Sequence, residues 1–217
     1  FTFIGICPYA FHTDAVQAYG HIPINVNECM IDMLSMSAHK LKGPKGTGFL
    51  YVRNGLELPA YIDGGSQENG RRAGTSNVPG IVGLGKACEI AARNMSRNIN
   101  NMTRLRNRII YKIKKGLPDA VLTGSEQMRL PNNISFCFPH VESSQLLAIL
   151  DMHGICASAG SACSTGAAGP SHVLIAMGIN PELAGGSLRL TISDETTIEE
   201  ADYVADTVIK TVKKLRI

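Results

Sequence analysis

A chain of 217 residues with 44% hydrophobic and 18% charged side chains can bury a substantial core, as one large domain or two small ones. Its net charge of +3 is too small to argue by itself for a nucleic-acid partner, and no window holds the roughly 18 apolar residues of a membrane span. The six cysteines (Cys7, Cys29, Cys88, Cys137, Cys156 and Cys163) form no CxxC pair, which excludes a zinc knuckle or a secreted disulfide framework and favours a reduced, cytoplasmic setting.

The opening "FTFIGICPYA" is apolar but lacks the basic leader and small-residue cleavage site of a signal peptide. It starts on Phe1 without a cap or turn, so the chain reads as beginning partway through an architecture. Residues 1–83 read as short buried strands separated by glycine-rich turns. "HTDAVQ" follows a β-prone run, and alone its Asp14 and Gln17 are a capping aspartate and a surface glutamine. "CMIDMLSMSA" and "GTGFLYVR" are the strand candidates, the second closed by "NG".

Between them lies "SMSAHKLKGPKGTG". It fits neither GxGxxG nor GxxxxGK[ST], so the phosphate loops of nucleotide-binding folds are poor candidates. A lysine ending an apolar run beside a histidine is expected to be partly desolvated, which favours the neutral amine that attacks a carbonyl. Ser35, Ser37 and His39 are natural phosphate donors, and Gly43 and Gly46 would let the backbone approach a ligand. A plain basic turn remains the alternative at this stage. The polar, glycine-rich "DGGSQENGRRAGTSN" (63–77) is long for a connection, which suggests a functional or mobile loop.

From about Ile81 to Gly116 the pattern is helical, with Met95, Ile99, Met102, Leu105, Ile109 and Ile113 on one face. Such a helix is long enough to join two domains. Residues 93–115 carry eight Lys or Arg and no acid. That stripe is a solvated face or a patch for an acidic partner. Aromatics for base stacking do not alternate along it, which argues against nucleic acid. Beyond "GLPDA", "NNISFCF" reads as a strand and "SSQLLAILDMHG" as a Ser-capped helix closed by Gly154. "SLRLTIS" is a further strand, and the last twenty or so residues form an amphipathic helix with acids early and lysines late. This order predicts a small α+β domain.

Two residues of this second half stand out. Cys163 lies in "ASAGSACSTGAAG", the composition of an accessible loop, which suits a reactive thiol. Arg189 sits inside an apolar strand, where a planar guanidinium needs an anion: a ligand carboxylate or an internal acid.

Together "HTDAVQAYGHIPINV", "SMSAHKLKGPKGTGFLYVR", "GGSQENGRRAGTSNV", "SAGSACSTGA" and "SLRLTIS" resemble the cysteine desulfurases, in the class V aminotransferase group of pyridoxal 5'-phosphate (PLP) enzymes of fold type I. The resemblance implies an α/β fold. Residues 1–83 would be the remainder of a large PLP-binding domain with a mostly parallel sheet, 84–116 a connecting helix, and 117–217 a small α+β C-terminal domain with the catalytic cysteine loop. It also implies that a portion is missing, N-terminal to what is present, including a histidine that stacks on the cofactor.

By the same resemblance Lys40 would hold PLP as a Schiff base, Asp14 would pair with the pyridinium nitrogen and Gln17 with the phenolic oxygen. Ser37 and His39 would hold the phosphate, and His39 would count with Lys40 and Cys163 among the catalytic residues. Thr75 would reach the phosphate of a neighbouring subunit in a homodimer, and Arg189 would clamp the substrate carboxylate. The implied reaction converts L-cysteine to L-alanine, with sulfur held as a persulfide on Cys163. A sulfur-acceptor or scaffold protein would then receive it for iron–sulfur cluster or thio-cofactor assembly. The alternatives are a catalytically incompetent remnant, or a related class V aminotransferase or selenocysteine lyase. No metal, membrane or nucleic acid is implied.

Overall fold

The computed structural model describes residues 10–160 and 169–216. The chain divides into two compact units, Phe1–Ser96 and Arg97–Ile217.

In the first unit, strands β1 (His12–Asp14), β2 (Met33–Ser37) and β3 (Gly48–Val52) form a sheet in the order β1-β2-β3. β1 runs parallel to β2, but β3 runs antiparallel to it, so this sheet is mixed where the sequence suggested a mostly parallel one. The cause is chain length: segment 38–47 is shorter than the dozen or so residues a parallel crossover needs. β3 begins on a glycine because a Cβ at Gly48 would run into the Met36 carbonyl oxygen across the ladder.

Side-chain alternation separates the faces of this sheet. Leu34 and Met36 are buried with Ala15 and Leu84, and Phe49 and Tyr51 pack onto them. His12, Asp14, Ser35 and Ser37 take the opposite parity. The buried Met33 shares that second face, so the polar groups available for chemistry gather toward the carboxyl ends of β1 and β2.

Helix α1 (Val78–Gly116) has 39 residues, about 58 Å at 1.5 Å per residue. It starts three residues before the predicted Ile81. Pro79 in the first turn costs no hydrogen bond there, and Asn77 Oδ1 accepts from Gly80 N at 3.1 Å. Leu84 and Ala87 are buried in the first unit, and Met102, Leu105, Ile109 and Ile113 in the second.

The basic stripe of α1 is less solvated than its composition suggested. Arg106 is only 5% exposed and donates to the carbonyls of Arg129 and Leu130, at 3.1 and 3.0 Å. Burial pulls its guanidinium below its ordinary pKa. Arg108 makes a two-toothed pair with Asp202 at 2.6 and 2.8 Å. Lys112 bridges Asp202 and Asp206, and Lys114 pairs with Glu126. Acids elsewhere in the second unit thus offset much of the surplus.

Those contacts, led by the Arg108 hydrogen bonds, hold the Asp202 carboxyl at about 2, against an ordinary 3.8. A depressed folded-state pKa contributes stability above the unfolded value, and that contribution is lost as pH falls through the folded one. Asp202→Asn is therefore expected to lower the melting temperature near neutral pH, and the gap to the parent protein should close between about pH 4 and pH 2. Thermal melts across that range check this, and a gap of constant size would contradict it.

The second unit holds the antiparallel sheet β4 (Val121–Leu122), β5 (Asn133–Cys137) and β6 (Ser187–Thr191), in that order. Helices α2 (Ser143–Met152), α3 (His172–Ala176), α4 (Pro181–Ala184) and α5 (Ile198–Leu215) accompany it. β4, α3 and α4 are too short for side-chain periodicity to reveal them. Ile134, Phe136, Leu188 and Leu190 build one core with Ile109 and Ile113 of α1, Leu146 and Leu150 of α2, and Val208 and Val212 of α5.

α5 carries a full capping box: Thr197 Oγ1 accepts from Glu200 N, and Glu200 Oε2 accepts from Thr197 N. α2 differs from the expected Ser-capped helix. Its cap residue is Glu142, without a side-chain cap, because Ser143 Oγ turns to the carbonyls of Gly185 and Ser187, at 2.6 and 2.7 Å. Gly154 does follow it in the left-handed conformation, at φ 73°. Among the described residues no helix is long and apolar enough to cross a membrane.

Candidate cofactor and substrate sites

In the first unit the parallel pair fixes the geometry. Asp14, the last residue of β1, stands opposite Ser35 of β2. Two residues further on, β2 ends at Ser37 and passes into a 3-10 turn, Ala38–Leu41, closed by Lys42 in the left-handed conformation at φ 61°. Asp14, Ser37, His39 and Lys40 therefore share the carboxyl edge of two adjacent parallel strands, where ligands of α/β sheets bind. Gln17 follows in the turn that leaves β1, its backbone bonded through Ala15 O to Ala18 N and Tyr19 N. Thr75 is exposed on the 63–77 segment, and no described contact joins it to this group.

The side chains at this edge are spare. Asp14 is exposed, and its Oδ1 accepts from Val16 N at 2.9 Å. Ser37 leaves its helix uncapped and instead lies 2.7 Å from His39 Nδ1. If serine donates, the Nε2 proton of a neutral imidazole points away from the pair. If histidine donates, the serine proton is left over. Either way the pair keeps one outward donor, and an imidazolium would keep two.

Lys40 is exposed, and no hydrogen bond or ion pair among the described residues engages its amine. This corrects the expectation of a desolvated lysine. The apolar run ends at the buried Ala38, and the 3-10 turn lifts His39 and Lys40 out of the sheet. The two glycines also differ from expectation. A Cβ at Gly43 would meet Ala38 and Ala87, so that glycine gives room to α1, and Gly46 serves a left-handed turn at φ 74°. His12, which the motifs did not single out, lies on the same face with Nε2 3.2 Å from Ser35 Oγ.

In the second unit Arg189 is half-buried rather than fully buried. Its neighbours Leu188 and Leu190 take the core, so alternation turns Arg189 to the other face. Its backbone pairs with Ser158 through both hydrogen bonds. No described acid pairs with its guanidinium, which leaves the internal-salt-bridge reading without support. Arg189 lines a pocket of about 300 Å³ with Thr123, Asn133, Ser135, Ser187 and the α3 residue Leu174.

Cys163 lies outside the described residues. Of the other cysteines, Cys29 and Cys156 are exposed and free, while Cys137 is buried, with its thiol pushed up by burial. Cys137 is thereby a packing residue.

The architecture is that of the NifS-like α/β proteins. A solved NifS-like protein superposes with a TM-score of 0.83 at 36% identity, covering 94% of this chain and 53% of its own. A solved structure of SspA in complex with cysteine superposes with a TM-score of 0.67 at 33% identity, covering 87% and 51%. The class-V aminotransferase family matches residues 7–204, and the chain belongs to that family. The cysteine desulfurase IscS of Dictyoglomus turgidum is 50% identical over 206 residues, which are 95% of this chain and 52% of the relative. The chain spans about half the length of the curated relatives it matches.

The family is PLP-dependent, and the donor set at the β1–β2 edge fits that cofactor. A spare carboxylate suits a pyridine nitrogen, a spare amine suits an aldehyde, and the Ser37–His39 pair keeps a donor for a phosphate oxygen.

Proposed function

We propose that this chain is the cofactor-anchoring and sulfur-accepting part of a PLP-dependent cysteine desulfurase, which takes L-cysteine to L-alanine. The reading rests chiefly on one observation, the convergence of Asp14, the Ser37–His39 pair and Lys40 on the carboxyl edge of β1 and β2. The likeness to proteins named cysteine desulfurase, and to one solved with cysteine, supports the substrate.

Bound PLP supplies an electron sink for the substrate α-carbon. Lys40 would hold the cofactor through its aldehyde and would carry the substrate α-proton on its Nζ. Asp14 would keep the pyridine nitrogen protonated, Gln17 would bond the phenolic oxygen, and Ser37 and His39 would donate to the phosphate. Arg189 orients the substrate carboxylate. The Cys163 thiolate would attack the substrate sulfur as the bond from that sulfur to the substrate Cβ breaks. The electron pair of the broken bond would pass to the carbon fragment, which a proton completes to L-alanine. A sulfur-acceptor protein of iron–sulfur cluster or thio-cofactor assembly would collect the persulfide sulfur.

In this reading residues 1–83 belong to a large PLP-binding domain, 84–116 to a connecting helix and 117–217 to a small domain. The whole enzyme is a cytoplasmic homodimer in which Thr75 serves the neighbouring subunit's phosphate.

The test is chemical. The purified chain is incubated with PLP, reduced with borohydride and digested, and the modified peptide is mapped. A pyridoxyl group on Lys40 is the expected result. Modification spread over the exposed lysines, or none on Lys40, would overturn the proposal.

A further inference from the structure

The pocket beside Arg189 holds a second donor. β4, β5 and β6 are in a register that lines up a transverse row on one face of the sheet. Ser135 stands directly opposite Arg189, and on its other side Thr123 N donates to Ser135 O at 2.9 Å. Directly opposed residues on antiparallel strands place their Cβ atoms about 4.5–5.5 Å apart on the same face. Ser135 and Arg189 are such a pair, and both line the pocket of about 300 Å³.

The proton inventory then decides what Ser135 can do. Thr123 is 6% exposed, and its Oγ1 donates to Ser135 Oγ at 2.7 Å, while the Ser135 carbonyl, already bonded to Thr123 N, lies further off at 3.3 Å. A hydroxyl has one proton to give. Thr123 gives its proton to Ser135, and no described group accepts the proton of Ser135. Ser187, the neighbouring hydroxyl, has spent its own on Ala159 O at 2.7 Å. Among the described residues no aspartate or glutamate lines the pocket, and Arg189 is the charge they bring to it.

We propose that Ser135 is a second binding residue for the carboxylate that Arg189 takes, and that Thr123 is the positioning residue that turns the Ser135 proton into the pocket. The ligand class is a small carboxylate with a short side chain, held by the guanidinium and the hydroxyl and flanked by Leu174 and Met177. This rests on the reading of Arg189 as the carboxylate residue, and deepens it. The pair discriminates against an uncharged amide of the same shape, which would bring an N–H donor to two donors.

Propionate is the probe, because it has the carboxylate but no amine to engage a cofactor aldehyde. Binding to the full chain is followed through the Nε–H resonance of Arg189, and, where that signal is removed, through the Ser135 and Ser187 amides. Ser135→Ala is expected to weaken propionate about tenfold, the loss of one hydrogen bond to a charged group. Thr123→Val should weaken it roughly threefold and Thr123→Ser restore it, because only the hydroxyl orients Ser135. Propionamide should bind far more weakly than propionate. Thermal melts report folding, and Ser135→Cys, a weak donor of similar size, replaces the alanine variant if that one does not fold.

Equal propionate affinity in the parent protein and Ser135→Ala, with Arg189→Gln still abolishing binding, would overturn the role of Ser135 and leave Arg189 standing. Binding unaffected by Arg189→Gln would overturn the Arg189 reading itself. No propionate-dependent shift in the parent protein would overturn the pocket as a carboxylate site. The Lys40 adduct is independent of all three outcomes.

Discussion

Phe136→Ala is expected to lower the stability of the second unit by about 3–5 kcal/mol, the range for removing a large aromatic from a filled core. Phe136, in β5, is 1% exposed, and its ring stacks on Phe138 with centroids 5.8 Å apart and planes 13° apart. Its cross-strand neighbours are Leu122 on β4 and Leu188 on β6. Surrounded on its own sheet and covered by helices, the site cannot collapse to fill the cavity. Urea unfolding followed by circular dichroism measures the effect. Met128→Ala is the control, since Met128 is 89% exposed and its truncation should change little. Equal denaturation midpoints for the two variants would contradict the packing described here.

Lys40→Ala is expected to abolish the borohydride-stable pyridoxyl adduct, while Lys42→Ala and Lys45→Ala leave it in place. All three lysines are exposed, so exposure alone would label them alike. The difference lies in what stands beside each. Lys40 shares its turn with the Ser37–His39 pair and the strand edge with Asp14, so a bound phosphate and ring bring the aldehyde to one amine rather than to three. Ser37→Ala tests the phosphate half of that argument. It should reduce the preference for PLP over pyridoxal, which lacks the phosphate, by about tenfold, the worth of a hydrogen bond to a charged group. An unchanged preference would mean that the Ser37–His39 pair does not face the phosphate.

The two variants probe different levels of the same design. In each sheet one face packs the larger core, and the other carries polar side chains beside a smaller apolar share, Met33 in the first sheet and Cys137, with Leu174 and Ala184, in the second. In the first unit Leu34 and Met36 take the buried side, and Ser35 and Ser37 the other. In the second, Leu188 and Leu190 take the core, and Ser187 and Arg189 the open side. A period of two along a strand is enough to make this division. A one-residue slip of β6 would bury Arg189 and expose both leucines.

Much of this was legible in the residue order. Long, strongly periodic elements declare themselves: α1 and α5 each repeat an apolar face over several turns, and α5 also sets its acids early and its lysines late. Ser37, His39 and Lys40 stand out locally, because a strand end followed by a short turn keeps them within a few residues of one another, whereas Asp14 is singled out only by family likeness and reaches the same edge through the β1–β2 pairing.

What stayed hidden depends on partners far away in the chain. That Arg106 is buried under two carbonyls, and that Asp202 and Asp206 offset charges of α1, are long-range facts. Local composition does not encode them. The exposure of Lys40 is of the same kind, since an apolar run does not say on which residue its strand will end.

Ser135 marks the boundary most clearly. In the sequence it is one hydroxyl in a β-prone run, indistinguishable from any other serine. Only strand register sets it opposite Arg189 and beside Thr123, and only the hydrogen-bond inventory leaves its proton unclaimed. The sequence by itself determined which chemistries are present. Tertiary structure decided which of them face one another, because pairing across a sheet is fixed by contacts between residues that lie far apart along the chain.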